Sequence, residues 1–224
     1  MYKRQTGYVN RESSRHLFVD DLKHPYNDDK NKFNWIRGYH LGGRSLTWGR
    51  HTYRLSEFDF EANLKDGIGV DWPIRYKDIA PWYDYVEEYI GVQGRPEGLP
   101  QFPDGKFLKP FDLNVLENHM RNSIAKNFND GRILSNARTA HITEGTKPGL
   151  GRVTCQYRNR CMRGCPYGAY FSSNSSTLPA AEATGNMTLM PNSIVHEIIY
   201  DEENKKAKGV RVIDAENNQS YEYF

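Results

Sequence analysis

Between residues 37 and 49 the chain reads RGYHLGGRSLTWG, and this run limits the possible fold more than any other. Gly42 and Gly43 are successive residues without a Cβ. The backbone there can approach a flat ligand or a phosphate and turn its N–H groups toward it. Arg37 and Arg44 can neutralise a pyrophosphate, and Trp48 is large enough to wall a ring system. Taken alone, a Gly-Gly pair in an aromatic loop reads first as a tight turn beneath a core.

The surroundings are those of a folded enzyme piece. Hydrophobic residues make up 38% of the 224, which is low for a core, while aromatic residues at 13% offset part of the deficit. Four Trp and fifteen Tyr suit packed loops and pocket walls. Formal charge is +2, so nothing suggests a nucleic-acid or acidic-membrane partner. No stretch approaches the apolar length of a membrane span. Spacing predicts a helix over 78–92, with Ile79, Trp82, Val86 and Tyr89/Ile90 on one face, Asp78 as its cap and Gly91 or Gly94 at its end. A second amphipathic helix is expected over 112–128, with Leu113, Leu116, Met120, Ile124 and Phe128 as its stripe. Late in the chain, 188–191, 194–200 and 208–214 read as strands, the last two joined by the turn DEENKK. The expected class is a mixed α/β (α+β) piece.

All three cysteines fall within eleven residues, at Cys155, Cys161 and Cys165. A disulfide would leave one thiol over, and the spacing lacks the close pairs of a zinc site. Iron–sulfur clusters are held by thiolates and often show Cys-Pro, as at Cys165-Pro166. Three thiolates suit three irons, and Arg158, Arg160 and Arg163 are placed to offset the anionic charge. The other reading of GCPYGA (164–169) is a packed turn with buried thiols.

In context, WIRGYHLGGRSLTWG resembles the FAD-contacting loop of the glucose–methanol–choline (GMC) oxidoreductases. Arg37, Gly38, Leu41, Gly42, Gly43, Ser45 and Gly49 match that family's run. Arg44 replaces a small hydroxyl residue, and Trp48 stands where many members carry Asn. Both departures resemble the sugar and polyol dehydrogenase branch. The likeness continues through DWPIRYKDIAPWYDYVEEYIGVQG (71–94), GCPYGA with the TLPA run (177–180), and MTLMPNSIVHEIIY, where the resemblance makes Val195 a contact to the adenine side of FAD. It covers about residues 31–214. Cys155, Cys161 and Cys165 match one for one the cysteines that hold a [3Fe-4S] cluster in dehydrogenases of this family that pass electrons to a cytochrome subunit.

The resemblance implies part of a GMC-type, Rossmann-like FAD-binding domain with inserted helices and loops. Its expected organisation is an irregular segment over 1–30, an FAD-covering region over 31–70, a helical substrate-side insertion over 71–142, the cysteine loop over 143–180 and a return to the FAD domain over 181–224. No GxGxxG pyrophosphate motif is present. None of His16, His24, His40, His51, His119, His141 or His196 sits in the family's catalytic motif, so no catalytic residue is assigned, and all seven read as surface or packing histidines. MYKRQTGYVN lacks the apolar core of a signal peptide, and NNQSYEYF breaks off on entering a strand. The chain therefore reads as a fragment, with the N-terminal nucleotide-binding unit and most of the substrate domain elsewhere, and with its compartment open between periplasm and cytoplasm. The implied function is FAD-dependent oxidation of a sugar, polyol or other alcohol. The expected cofactors are FAD and a [3Fe-4S] cluster, and the expected partner is a cytochrome c-type or small subunit. A cluster-free oxidase or dehydrogenase and an inactive truncated piece are the alternatives.

Overall fold

The computed structural model describes residues 12–27, 33, 35–161 and 164–224. The opening decapeptide, most of the expected segment 1–30 outside 12–27, and Arg163 lie outside the described residues. The chain divides into two compact units, 1–183 and 184–224. Together they give the mixed α/β class expected, built of helices and small antiparallel sheets.

In the first unit, two short helices, α1 (Glu57–Phe60) and α2 (Ala62–Asp66), precede the long helix α3 (Tyr76–Ile90). α3 starts two residues before its predicted position. Asp78 does not cap it: it lies inside the first turn and accepts the Arg75 backbone N–H at 2.8 Å. Gly91 ends the helix in the left-handed conformation, φ 75°, as a glycine there permits. The expected face is only partly correct. Glu87 and Ile90 are the buried residues, while Trp82 and Val86 are exposed. An ion pair turns the helix this way: Arg54 Nε donates to Glu87 Oε1 at 3.0 Å, its Nη2 reaches Glu87 Oε2 at 2.6 Å, and it also pairs with Asp84.

Strand β1 (Val92–Gln93) follows directly and pairs antiparallel with β2 (Thr139–Ala140), Val92 opposite Ala140. Around this pair lies a small core of Ile90, Val92 and Ala140, packed by Trp48, Tyr89, Phe107 and Phe171. Such a core is too small to organise the long loops. Three fully buried arginines do so by binding loop carbonyls. Arg50 donates to the carbonyls of Leu46, Trp48 and Phe171. Arg138 binds the carbonyls of Phe102 and Pro103 together with Asp104. Arg152 binds those of Ile90 and Gly168. One guanidinium carries five N–H donors, so it can satisfy several irregular carbonyls at once. This is how a chain with 38% hydrophobic residues holds extended loops together.

Between the strands lies α4 (Val115–Asn127). Its start is a reciprocal cap: the Glu117 N–H donates to Asn114 Oδ1 at 2.9 Å, and the Asn114 N–H to Glu117 Oε2 at 2.7 Å. The predicted apolar stripe is not buried, and Leu116 and Met120 face outward. Arg121 anchors the helix instead, through the Leu134 carbonyl and Asn136. The unit ends with α5 (Thr177–Glu182).

The second unit is an antiparallel meander of β3 (Ser193–Asp201), β4 (Lys206–Asp214) and β5 (Ser220–Tyr223). Its first turn is the predicted one, with the Asp201 carboxylate accepting the N–H groups of Glu203 and Asn204 at 3.0 Å each. The run 188–191 forms no strand: Pro191 lacks an N–H for a ladder, and Asn192 is left-handed at φ 60°. Among the described residues no helix is long and apolar enough to cross a membrane.

Candidate functional site

The glycine-rich segment forms a tight left-handed turn at Gly42 (φ 87°) and Gly43 (φ 48°), followed by a 3₁₀ turn over Gly43–Leu46. Its three central glycines differ in what surrounds them. A Cβ on Gly38 would strike the Leu17 carbonyl and the His40 ring, and one on Gly42 would strike the Asn174 carboxamide. A Cβ on Gly43 would meet nothing within 4 Å. Gly38 and Gly42 thus serve contacts inside the protein, and Gly43 is the position with open space above it. Ser45 ties the turn down: its Oγ donates to the Gly42 carbonyl at 2.6 Å and accepts the Ser173 N–H at 3.0 Å. Asn174 Nδ2 adds a bond to the Leu41 carbonyl at 3.2 Å. Leu41 itself is exposed.

The loop's charged and aromatic residues are also placed. Arg37 Nη2 is held by Asp21 and the His24 carbonyl, at 2.5 Å each. Arg44 is exposed and reaches the Ile36 carbonyl at 3.4 Å. Trp48 packs against the core and stands edge-on to Phe171, with ring centroids 6.1 Å apart. The Gly49 carbonyl accepts the Tyr170 hydroxyl at 3.0 Å. Four buried polar atoms of the same segment have no hydrogen-bond partner: Arg37 Nε, His40 Nδ1, Thr47 Oγ1 and Trp48 Nε1. Such atoms are uncommon in folded proteins and call for a partner from a bound group or ordered water.

The three cysteines are free thiols and all half-buried. Together with Phe111, His141 and Tyr157 they line one cavity of about 330 Å³, far more than the ~10–15 Å³ that admits a single water. Tyr157 and Asn159 turn the loop through left-handed conformations, φ 51° and 50°. Such conformations cost on the order of 1–3 kcal/mol each and cluster where a ligand is clamped. The turn aims the Tyr157 N–H at Cys155 Sγ, 3.4 Å away. A second cavity of about 380 Å³ is lined by Leu17, Leu46, Cys165, Ser172 and Asn174. Cys165 borders both cavities, and the second of them reaches the glycine-rich segment at Leu46.

Burial pushes the Cys161 thiol up, and Cys165 and Cys155 push it the same way while Arg50 opposes. Among the described residues, no three His, Cys, Asp or Glu side chains converge on a single metal ion. Arg158 and Arg160 are exposed, so solvent screens them. Among buried cations Arg50 acts on Cys161, and Cys165 in turn acts on Arg152.

One functional candidate was not singled out by the sequence. His141 lines the cysteine cavity, its ring held edge-on by Phe111 (4.8 Å) and Tyr170 (5.1 Å). Burial, then the Arg50 charge, pushes its pKa down to about 4, so the ring is neutral near pH 7. The sole sequence signal was a histidine set between apolar neighbours in the stretch 139–142.

The sequence model of the GMC oxidoreductase family matches residues 10–223. The chain belongs to the GMC oxidoreductase family. Among curated proteins it is similar to the fructose dehydrogenase large subunit of Gluconobacter japonicus, 24% identical over 74% of this chain and 30% of that protein. It is also similar to the 2-methyl-1,2-propanediol dehydrogenase of Mycolicibacterium austroafricanum, 27% identical over 81% of this chain and 32% of that one. A shorter likeness, 39% identical over 26% of this chain and 11% of that protein, is to the paromamine 6'-oxidase of Streptomyces fradiae. The chain thus spans about a third of the length of the dehydrogenases it matches. Membership in the GMC family implies FAD as cofactor. The open face over Gly43 leaves room for a planar ligand to approach the backbone there.

Proposed function

We propose that this chain is part of an FAD-dependent dehydrogenase that oxidises a CH–OH group of a sugar, polyol or other alcohol and exports the electrons to a cytochrome or quinone. The observation that carries this reading is Cys165, which borders both the three-thiol cavity and a second cavity that reaches the glycine-rich segment at Leu46. When bound, FAD would accept hydride at N5 and a [3Fe-4S] cluster would relay single electrons.

The chain's own residues do the holding. Gly43 lets the backbone approach the flavin, with Arg37, Gly38, Leu41, Gly42, Ser45, Trp48 and Gly49 forming the loop that covers it. In the second unit, Val195, exposed on β3, is proposed as the adenine-side contact. Cys155, Cys161 and Cys165 are proposed as cluster ligands, and Arg50 and Arg152 supply fixed positive charge beside them. No group in this chain is proposed as the base that takes the hydroxyl proton. The sugar and diol dehydrogenases among its relatives support the substrate class. The fructose dehydrogenase relative is a large subunit, which supports a partner subunit here.

One observation favours a second reading, a cluster-free oxidase or dehydrogenase: burial raises the Cys161 thiol, which favours an inert neutral group. The test uses the full-length protein without oxygen, with a panel of sugars and polyols. Substrate should bleach the flavin, and a Cys155→Ala/Cys161→Ala variant should still bleach it yet fail to pass electrons to a one-electron acceptor. Unchanged electron transfer in that variant would favour the second reading, and no bleaching by any member of the panel would refute the proposed substrate class.

A further inference from the structure

We propose that Ser173 and Asn174 are positioning residues for the flavin: from behind the glycine-rich turn they hold the conformation that presents Gly43 to the ligand. This rests on the FAD reading of that turn. It goes beyond it by assigning the turn's shape to two residues of a segment more than a hundred residues further along the chain.

The contacts fall on the residues that shape the turn. Asn174 Nδ2 donates to the Leu41 carbonyl at 3.2 Å. Its Oδ1 fills the space behind Gly42, where an added Cβ would lie 2.3 Å away. The Ser173 N–H donates to Ser45 Oγ at 3.0 Å, and the two hydroxyl oxygens are 2.8 Å apart. The single Ser45 hydroxyl proton goes to the Gly42 carbonyl at 2.6 Å, so the Ser173 hydroxyl is the donor between the two. The Gly42 carbonyl also accepts the Ser45 N–H at 3.0 Å, and the Gly43 N–H donates to the His40 carbonyl at 3.0 Å. Both edges of the Gly42–Gly43 peptide are thus held inside the protein. A planar peptide held on both edges fixes the direction in which the Gly43 Cα faces. That direction is the open one. Two successive glycines reach many conformations by themselves, so the selection comes from outside the turn. The holding segment is itself anchored. The Phe171 N–H donates to the carbonyl of core residue Ala140 at 3.1 Å, and the Phe171 carbonyl accepts Arg50 Nε at 2.7 Å. The Ser173 and Ser175 carbonyls accept the N–H groups of Leu178 and Leu150, each at 2.9 Å. Asn174 is exposed and, with Leu46, borders the cavity of about 380 Å³. It therefore acts at the edge of a space open to a ligand, outside the core.

The consequence is preorganisation. A site that is in its binding conformation only part of the time binds more weakly by that fraction. The test uses full-length protein depleted of FAD and titrated with FAD. Ser173→Ala/Asn174→Ala removes both side-chain holds and leaves Gly43 untouched. It should raise the FAD dissociation constant about tenfold, as expected for two lost hydrogen bonds. The unfolding temperature of the FAD-free protein should barely move, because neither side chain is buried. The visible circular dichroism of the bound flavin should change in the double variant. Ser173→Thr, which keeps the hydroxyl, should match the wild type in both readouts. A folded double variant with the wild-type dissociation constant and the wild-type dichroism would overturn the proposal. So would weaker FAD binding matched by an equal loss of stability in the FAD-free protein, which is the mark of a merely structural role. If the double variant fails to fold, hydrogen exchange on the wild type decides the matter. FAD should slow exchange of the Ser173 N–H together with that of segment 41–46. Slowing of 41–46 alone would overturn the proposal. Wild-type protein that binds no FAD would overturn the FAD reading of the turn itself, an outcome distinct from the failure of Ser173 and Asn174 alone.

Discussion

Gly42 and Gly43 are adjacent, both left-handed and identical in sequence terms, yet the protein uses them differently. Gly42 is packed on Asn174, while Gly43 opens to free space. An alanine at Gly42 carries the left-handed penalty and a clash, so Gly42→Ala should destabilise by about 2–5 kcal/mol, from ~1–2 for the conformation and ~1–3 for overpacking. Gly43→Ala carries only the conformational part, about 1–2 kcal/mol. On FAD the order should reverse, because the new methyl at Gly43 lies on the proposed ligand side. Thermal unfolding and FAD retention on the full-length protein measure the two effects separately. Equal FAD loss in both variants would contradict the division of roles. The glycine pair was visible in the sequence, but the distinction within it was not, because it depends on Asn174, more than a hundred residues along the chain. The same holds for His141, whose meaning comes from the thiols that folding brings beside it.

At the scale of elements, the start of α4 was nearly legible because Asn114 and Glu117 form a local cap. The orientation of α3 was not. A reader of the sequence puts Glu87 outside and Val86 inside, and the structure reverses them because Arg54 waits beneath Glu87. Both side chains of that pair are nearly inaccessible. Removing one partner leaves a buried charge, so Arg54→Met should cost about 3–5 kcal/mol in denaturant unfolding. Adding Glu87→Met to it should recover most of that loss, because the stranded carboxylate is removed. A double variant as unstable as the single one would show that the pair is not what orients the helix. The three buried arginines that clamp loop carbonyls were equally hidden, since no local pattern marks an arginine for burial.

At the scale of the whole molecule, the order of the motifs was the most legible feature, and it led to the family that the match over residues 10–223 establishes. What local patterns cannot give is the covering of exposed apolar surface. Val115, Leu116 and Met120 on α4 and Ile198 on β3 face outward in this chain, which spans about a third of its dehydrogenase relatives. The chain expressed alone should therefore bind a hydrophobic dye and retain little FAD, whereas the full-length protein should bind less dye per residue and hold its flavin. Stoichiometric FAD on the isolated chain would contradict that view.

The proposed role of Cys155, Cys161 and Cys165 is to hold an electron-relaying cluster. It is tested most directly by measuring iron and acid-labile sulfide against flavin in full-length protein purified without oxygen. About three irons per flavin are expected, one for each of Cys155, Cys161 and Cys165. Full flavin occupancy with no iron, in protein never exposed to oxygen, would contradict it.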